Sequence, residues 1–126
     1  MRKDLTTQLY LRFPNIFKGL NKPLTDSLMV FGFECGDGWY DLIYQLCEEI
    51  EKQSLLEDVC VPEAIQVKEK FGELRFYVSG TTSSILDVIE DAADKSEKIC
   101  EICGQPGITL ENRGWLKTRC EKHKNE

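Results

Sequence analysis

The sequence predicts an α+β fold: a small core of helices and one β-hairpin, followed by a compact C-terminal module. Helical periodicity in three segments and alternation over residues 65–79 predict the core. A cluster of Cys and His side chains near the end of the chain predicts the module, because small units with thin cores need a staple. We therefore divide the 126 residues into an acidic body, residues 1–97, with residues 1–30 as a candidate N-terminal arm, and a terminal module, residues 98–126.

The composition is that of a globular protein, with 41% apolar and 30% charged residues. The net charge of −6 is unevenly distributed, since the body carries −8 and the terminal module +2. An acidic body disfavours broad binding to nucleic-acid backbones, because that affinity depends on cationic side chains. It is compatible with docking on a basic protein surface.

No segment predicts export or membrane insertion. The longest apolar run, residues 28–33, has six residues and is too short to span a bilayer. The N-terminal segment MRKDLTTQLYLRF lacks the apolar stretch and the cleavage site of a signal peptide. We expect a cytoplasmic protein.

The N-terminal part predicts one short helix and one strand. Residues 4–13 place apolar side chains four residues apart, and Pro14 would end that helix. Residues 28–34 are apolar around a Phe-Gly-Phe centre and predict a buried strand. The segment between them contains Gly and Pro and predicts turns and loop.

The clearest predicted helix lies in CGDGWYDLIYQLCEEIEKQ, residues 35–53, where Asp37 or Gly38 can cap its start. Its apolar side chains form one continuous face: Trp39, Leu42, Ile43, Leu46, Cys47 and Ile50. Whether Trp39 belongs to the core or to an interface stays open at this point.

Three acidic residues, Glu34, Asp37 and Asp41, lie within eight positions at the start of this helix. This acidic cluster can hold magnesium or form an interaction surface. The simpler interpretation is that the acids favour the positive end of the helix dipole.

Residues 65–79 predict a β-hairpin, with a single bulged strand as the alternative. Gly72 stands at its centre, where a tight turn needs a positive φ. One face of the hairpin is apolar, and the other carries Lys68, Lys70, Arg75 and Tyr77. A helix over residues 85–98, capped by Ser84, then leads into the terminal module.

The strongest chemical signal in the chain is Cys100-x2-Cys103, sixteen residues, then Cys120-x2-His123. The two-residue spacing lets each pair grip one ion from a tight turn, and half-sites separated by 15–20 residues are typical of zinc modules. Zinc prefers four thiolate and imidazole donors in a tetrahedron. We predict that Cys100, Cys103, Cys120 and His123 bind a structural Zn²⁺, because four protein ligands leave no position for water or substrate.

The segment between the two ligand pairs predicts two short strands, residues 108–110 and 115–118, with a turn at Asn112 and Gly114. A helix that begins at residues 120–124 would supply the second ligand pair. The order of knuckle, hairpin and helix is typical of a treble-clef zinc finger, and a looser zinc ribbon is the alternative.

Other chemistries lack a required part. A thioredoxin-type pair needs a surrounding βαβ pattern, and zinc deaminases need a His-x-Glu beside their Cys pair. HNH-type nucleases and His-dependent triads need a further His, but His123 is the only one in the chain. We therefore predict a protein that is not an enzyme, with carboxylate–metal catalysis at the acidic cluster as the remaining enzymatic hypothesis.

The module also offers candidate contacts for a nucleic acid or a protein partner: Arg113, Trp115, Lys117 and Arg119. A ring beside several cations suits stacking on single-stranded nucleic acid. Trp115 is also the natural core residue of so small a module, so its placement decides between the two roles.

Three cysteines remain, namely Cys35, Cys47 and Cys60. An odd number argues against a disulfide framework, and free Cys is among the most buried residue types. We expect all three to be small buried side chains.

Three blocks of the sequence, FGFECGDGWYDLIYQLCEEI, VKEKFGELRFYVSG and CEICGQPG…GWLKTRCEKH, together resemble a family of small proteins encoded by phages, prophages and bacterial genomes. The resemblance covers the chain from about residue 31 onward. It implies a setting in a bacterial host cell and carries no activity with it. Small acidic phage proteins often act by binding host or defence proteins, which implies a modulator or inhibitor.

The residues and the resemblance together predict a zinc-stabilised interaction protein that binds a bacterial host or defence protein. The alternative is a nucleic-acid-binding zinc finger protein, and the third hypothesis is a carboxylate–metal enzyme.

Overall fold

The computed structural model describes residues 1–126 and contains mixed helix and strand, which confirms the α+β class. The helices and strands, in chain order, are α1 (Lys3–Arg12), β1 (Phe33–Glu34), α2 (Tyr40–Glu57), β2 (Glu63–Lys70), β3 (Glu73–Ser79), α3 (Ser83–Ser96), β4 (Ile108–Asn112) and β5 (Trp115–Arg119). Short 3-10 turns precede β1 and α2 and follow β5. None of the helices combines the length and the apolar character that crossing a membrane requires.

The body is built on a three-stranded sheet in the order β1–β2–β3. β1 runs parallel to β2, and β2 pairs with β3 in antiparallel register. β2 and β3 are the predicted hairpin, and both residues of its turn, Phe71 and Gly72, have positive φ, 56° and 78°. Positive φ at both central residues is the backbone of a type I′ turn, whose twist matches that of the strands.

A β-bulge in β2 changes which residues face the core. The register shifts between Ala64 and Gln66, so Ala64 and Val67 are both buried although they are three residues apart. Ile65 is only half buried as a result. The bulge inserts one extra residue into β2, which interrupts the alternation of buried and exposed side chains along the strand.

The core is one cluster of 19 buried residues between the sheet, α2 and α3, and it includes the start of the chain. Residues 1–30 contribute Leu9, Phe13, Ile16, Phe17 and Met29 to it. Aromatic rings join these elements, since the Phe17 ring lies 5.2 Å from that of Phe33 on β1 in an edge-on arrangement. The N-terminal 30 residues are therefore packed into the body.

The segment predicted as a strand, residues 28–34, is extended only at Phe33–Glu34. Met29–Phe31 form a 3-10 turn, which begins where the Ser27 hydroxyl accepts a hydrogen bond from the Met29 N–H at 3.1 Å. Gly32 then takes φ 72°, a conformation that breaks a strand. The prediction was wrong for the first part of the segment because apolar composition alone does not show this turn.

α3 begins two positions earlier than a Ser84 cap requires. Its N-cap is Thr82, whose hydroxyl accepts a hydrogen bond from the Ile85 N–H at 3.3 Å. The same hydroxyl donates to Glu57 at the end of α2, at 2.8 Å. Thr82 therefore caps one helix and ties it to the other.

β4 and β5 form a second, two-stranded sheet that lies on the tip of the first hairpin. The Thr118 hydroxyl donates to the Gly72 carbonyl at 2.6 Å, and Lys117 forms an ion pair with Glu69 at 3.4 Å. These contacts place the tip of the first hairpin against the strands of the second.

Candidate metal centre

Two turns bring the four predicted ligands together. Cys100 and Cys103 lie in the turn after α3, which is closed by the Gly104 N–H donating to the Cys100 carbonyl at 2.9 Å. Gly104 has φ 81°, which glycine adopts without a steric penalty. Cys120 and His123 lie in the 3-10 turn after β5, where the His123 N–H donates to the Cys120 carbonyl at 3.1 Å. The longer terminal helix predicted from residue 120 is thus a single turn.

The ligand atoms of this Cys3His cluster all lie within 4.8 Å of one another. The sulfurs of Cys103 and Cys120 are 3.7 Å apart, and His123 Nδ1 lies 3.7 Å from the Cys100 sulfur and 3.3 Å from the Cys120 sulfur. Tetrahedral zinc with Zn–S bonds of about 2.3 Å holds its sulfurs about 3.8 Å apart. All six cysteines are free thiols. The cluster can therefore hold one metal ion and contains no disulfide.

The surroundings of Cys100 favour its thiolate. Burial would raise the pKa of this thiol, but backbone N–H groups, first that of Cys103, and the His123 imidazole lower the pKa to about 6. At Cys103 the Gln105 N–H lowers the pKa, whereas burial and the neighbouring thiols, first that of Cys120, raise it and prevail. The thiolate is the form that binds metal, so the buried ligand is already close to its metal-binding state.

The outer nitrogen of the histidine ligand faces a carboxylate. His123 Nδ1 points to the sulfurs, while its Nε2 lies 3.8 Å from Glu126 Oε2. Histidine ligands commonly direct their second nitrogen to such an acceptor, which fixes the ring orientation. Nδ1 is therefore the ligand atom that this arrangement presents.

The turn that carries Cys100 and Cys103 packs against the residues at the beginning of α2. The Gly36 N–H donates to the Glu101 carboxylate at 2.9 Å, and the Gly38 N–H donates to the Glu101 carbonyl at 2.8 Å. A β-carbon at either glycine would overlap the Glu101 backbone. Trp39 is fully buried, and its indole N–H donates to the Ile99 carbonyl at 2.9 Å. Trp39 thus belongs to the core, where it supports the turn that carries Cys100 and Cys103.

A buried ion pair crosses the module next to the cluster. The Arg119 guanidinium lies 3.0 Å from Glu101 Oε1, and both side chains are about 10% exposed or less. Arg119 also donates to the carbonyls of Thr118 and Glu126. The interpretation of Arg119 as a surface contact was wrong, because its side chain faces Glu101 instead of solvent.

The other three candidate contacts lie at the surface of the terminal hairpin. Trp115 is 70% exposed, so it is not the core of the module. Arg113 is exposed in the turn between β4 and β5 and forms no ion pair, whereas Lys117 is paired with Glu69. Arg113 and Trp115 are thus the two predicted contacts that remain available to a partner.

The structure does not gather the acidic cluster into a metal site. Glu34 accepts a hydrogen bond from Gln66 at 3.2 Å, and Asp37 accepts one from the Arg2 N–H at 2.6 Å. Asp41 is exposed in the first turn of α2. The only group of three or more potential ligands that comes together in the chain is the Cys3His cluster.

Of the three remaining cysteines, two are buried and one is not. Burial raises the pKa of the Cys35 thiol to about 12 and that of the Cys47 thiol well above its usual value. Cys60 is exposed, because it follows α2 in the loop that leads to β2. The expectation of burial was wrong for Cys60.

Sequence reasoning missed three residues that shape the site. Gly36 and Gly38 provide the close approach, and their spacing in CGDGW directly before a helix is the signal that points to it. The partner of Arg119, Glu101, stands between two ligands, and no local pattern marks it as buried.

A comparison of the chain with protein-family models gave no match, and neither the curated proteins nor the solved structures gave a significant one.

Proposed function

We propose that this protein is a zinc-stabilised interaction protein without catalytic chemistry of its own. It binds a protein of a bacterial host, such as a defence protein, and acts there as a phage-encoded modulator or inhibitor. The observation that carries the proposal is the Cys3His cluster, whose four donor atoms lie within 4.8 Å and match the tetrahedron that zinc prefers.

The choice of zinc rests on the ligand set and its distances. Three thiolates and one imidazole are a common structural zinc set, and the 3.7 Å between sulfurs suits Zn–S bonds of about 2.3 Å. The order of knuckle, β-hairpin and short turn supports a treble-clef-like or zinc-ribbon module. All four tetrahedral positions belong to the protein, so zinc here would serve structure.

The module that the metal holds presents a surface for binding. The cluster ties the end of β5 to the turn after α3, and that turn is seated on α2 through Glu101. The terminal hairpin is thereby held in one orientation, with Trp115 exposed. Exposed Trp side chains are over-represented among the residues that dominate protein interfaces.

Binding to nucleic acid is the second candidate function, and the exposure of Trp115 beside Arg113 favours it. Two ion pairs argue against nucleic-acid binding, that of Arg119 with Glu101 and that of Lys117 with Glu69. They leave only two of the four candidate contact residues free to bind a partner. The acidic body, with −8 over residues 1–97, argues against it further.

The metal is tested first. Elemental analysis of the purified chain should give one zinc per chain, and Cys103→Ser should remove it. Cys60→Ser is the matched control, because Cys60 is an exposed thiol outside the cluster. Zinc retained by Cys103→Ser, or absent from the unaltered chain, would refute the zinc assignment.

The partner is tested with the zinc-loaded chain immobilised in nuclease-treated bacterial lysate. We expect a discrete protein that forms a complex of fixed stoichiometry when both components are purified, and that is lost after the metal is removed. Recovery of nucleic acid alone from untreated lysate would refute the proposal in favour of the second candidate.

A further inference from the structure

Three exposed apolar side chains lie where the tip of the first hairpin packs against the second hairpin. Phe71 is 63% exposed, Trp115 70% and Leu116 43%. We call them the aromatic patch. They line an open depression of about 520 Å³, which is large enough to receive one large side chain of a partner.

The two hairpins hold the patch in a defined shape. The Thr118 hydroxyl donates to the Gly72 carbonyl at 2.6 Å, directly beside Phe71. Lys117 reaches from β5 to Glu69 on β2 and forms an ion pair with it at 3.4 Å, and both residues line the depression. The patch is therefore pre-organised, which lowers the entropy cost of binding.

The backbone at Phe71 is unfavourable for the residue that occupies it. Its φ of 56° lies in the left-handed region, where Asn, Asp or Gly is expected in a type I′ turn. A bulky aromatic residue in this region is rare. The position therefore combines a strained backbone with an exposed ring. Strain of this kind is common at ligand-binding positions.

The charges around the patch indicate the chemistry of the partner. Lys70 lies over the Phe71 ring at 5.5 Å, and neither Lys70 nor Arg113 is in an ion pair. The acidic side chain in the depression, Glu69, is already paired with Lys117. Lys70 lines the depression, and Arg113 lies on the neighbouring side of Trp115, in the turn between β4 and β5. These two free cations suit one or two carboxylates of a partner.

A nucleic-acid strand fits these charges less well. A strand presents a continuous row of phosphates, and its affinity rises with the number of cations that neutralise them. Lys117 also lines the depression but is already paired with Glu69, so it does not add to such a row of cations. The concave, sparsely charged patch fits a single anchoring side chain better.

We propose that the aromatic patch binds an acidic protein segment that inserts one aromatic or large aliphatic side chain between Phe71 and Trp115, with carboxylates beside it that pair with Lys70 and Arg113. This inference rests on the proposed function and names the surface and the chemistry of the partner.

The test selects ligands for the zinc-loaded full chain from a library of random displayed peptides. We expect the enriched peptides to share an aromatic or large aliphatic residue flanked by Asp or Glu. A synthetic peptide without Trp should shift the emission of Trp115 to shorter wavelength, while Trp39 is fully buried and contributes a constant background. Phe71→Asn and Trp115→Thr should each weaken binding at least tenfold.

Phe71→Asn keeps the test independent of folding, because Asn is favoured in the left-handed turn and should not lower the unfolding midpoint. Phe31→Asn is the matched control, since Phe31 is 60% exposed but lies in the turn before β1 and does not belong to the aromatic patch. It should leave peptide affinity unchanged.

Several results would overturn the inference: no enrichment, enrichment of basic or purely polar peptides, or binding that Phe71→Asn leaves intact. Tighter binding of oligothymidylate, or a doubled mass in solution that Trp115→Thr abolishes, would assign the patch to nucleic acid or to a second copy of the chain. A host protein that still binds the Phe71→Asn and Trp115→Thr variants would refute this inference alone and leave the proposed function standing.

Discussion

Gly38 lies against the carbonyl oxygen of Cys100, so close that a β-carbon on Gly38 would overlap that oxygen. The same β-carbon would lie 2.6 Å from the Gly104 nitrogen. The backbone at the start of α2 thus contacts the backbone of the turn that carries Cys100 and Cys103. Any side chain at position 38 must push the two apart.

We expect Gly38→Ala to destabilise the protein by about 1–3 kcal/mol, the usual cost of forcing atoms into a packed site. The sign of this change in stability is informative. Replacing a glycine that has an ordinary φ and free space around it by Ala usually stabilises a protein by about 0.4–1 kcal/mol. Urea unfolding at fixed zinc concentration measures the change. Gly80→Ala is the comparison, since no atom lies within 4 Å of its β-carbon position and only its φ of 32° carries a cost. An unchanged or raised midpoint for Gly38→Ala would contradict the close contact.

The six thiols should react in three stages. Cys60 is exposed, whereas Cys35 and Cys47 are buried with raised pKa values and the other three belong to the cluster. Because the reactive species is the thiolate, one fast thiol per chain is expected with metal bound. Removal of the metal should raise the count to four, and denaturant to six. Absorbance with a disulfide reagent gives each count.

Cys60→Ser provides the control for this titration. It should abolish the fast phase and leave the later stages unchanged. Two or more fast thiols in the metal-bound protein would mean that the cluster does not protect its sulfurs.

Thr82 should contribute more to the stability of α3 than Ser84 does. Thr82→Ala removes the bond from the Ile85 N–H and the bond to Glu57, so we expect a loss of about 1 kcal/mol, typical for an N-cap. Ser84→Ala should change the free energy of unfolding by less, because the Ser84 side chain makes no hydrogen bond that caps α3. Thermal unfolding of both variants tests the difference, and equal losses would argue against Thr82 as the cap.

Local patterns in the sequence were sufficient for the hairpin and for both main helices. The alternation around Gly72 predicted β2 and β3, and the 3.6-residue period predicted α2. The four ligands could be predicted for the same reason. The two residues of each ligand pair are only three positions apart, so a single turn brings them together.

Features that depend on distant residues could not be predicted in this way. The burial of Arg119 depends on Glu101, and the exposure of Trp115 depends on the hairpin lying on Gly72 rather than folding over its own core. The strand predicted at residues 28–34 failed for a similar reason, since Gly32 and Ser27 impose a turn on an apolar run. Composition records that a segment is apolar but does not record where its side chains point.

The Glu101–Arg119 pair should show strong coupling in a double-mutant cycle. Removal of one partner from a buried pair typically costs about 3–5 kcal/mol, because it leaves the other charge without compensation. We therefore expect Arg119→Met to cost that much, and Glu101→Gln/Arg119→Met to cost clearly less than the sum of the two single changes. Urea unfolding of the zinc-loaded variants gives the coupling energy, with Lys117→Met as the comparison at the more exposed pair with Glu69, where about 0–1 kcal/mol is expected. Additive losses at positions 101 and 119 would show that the two side chains act separately.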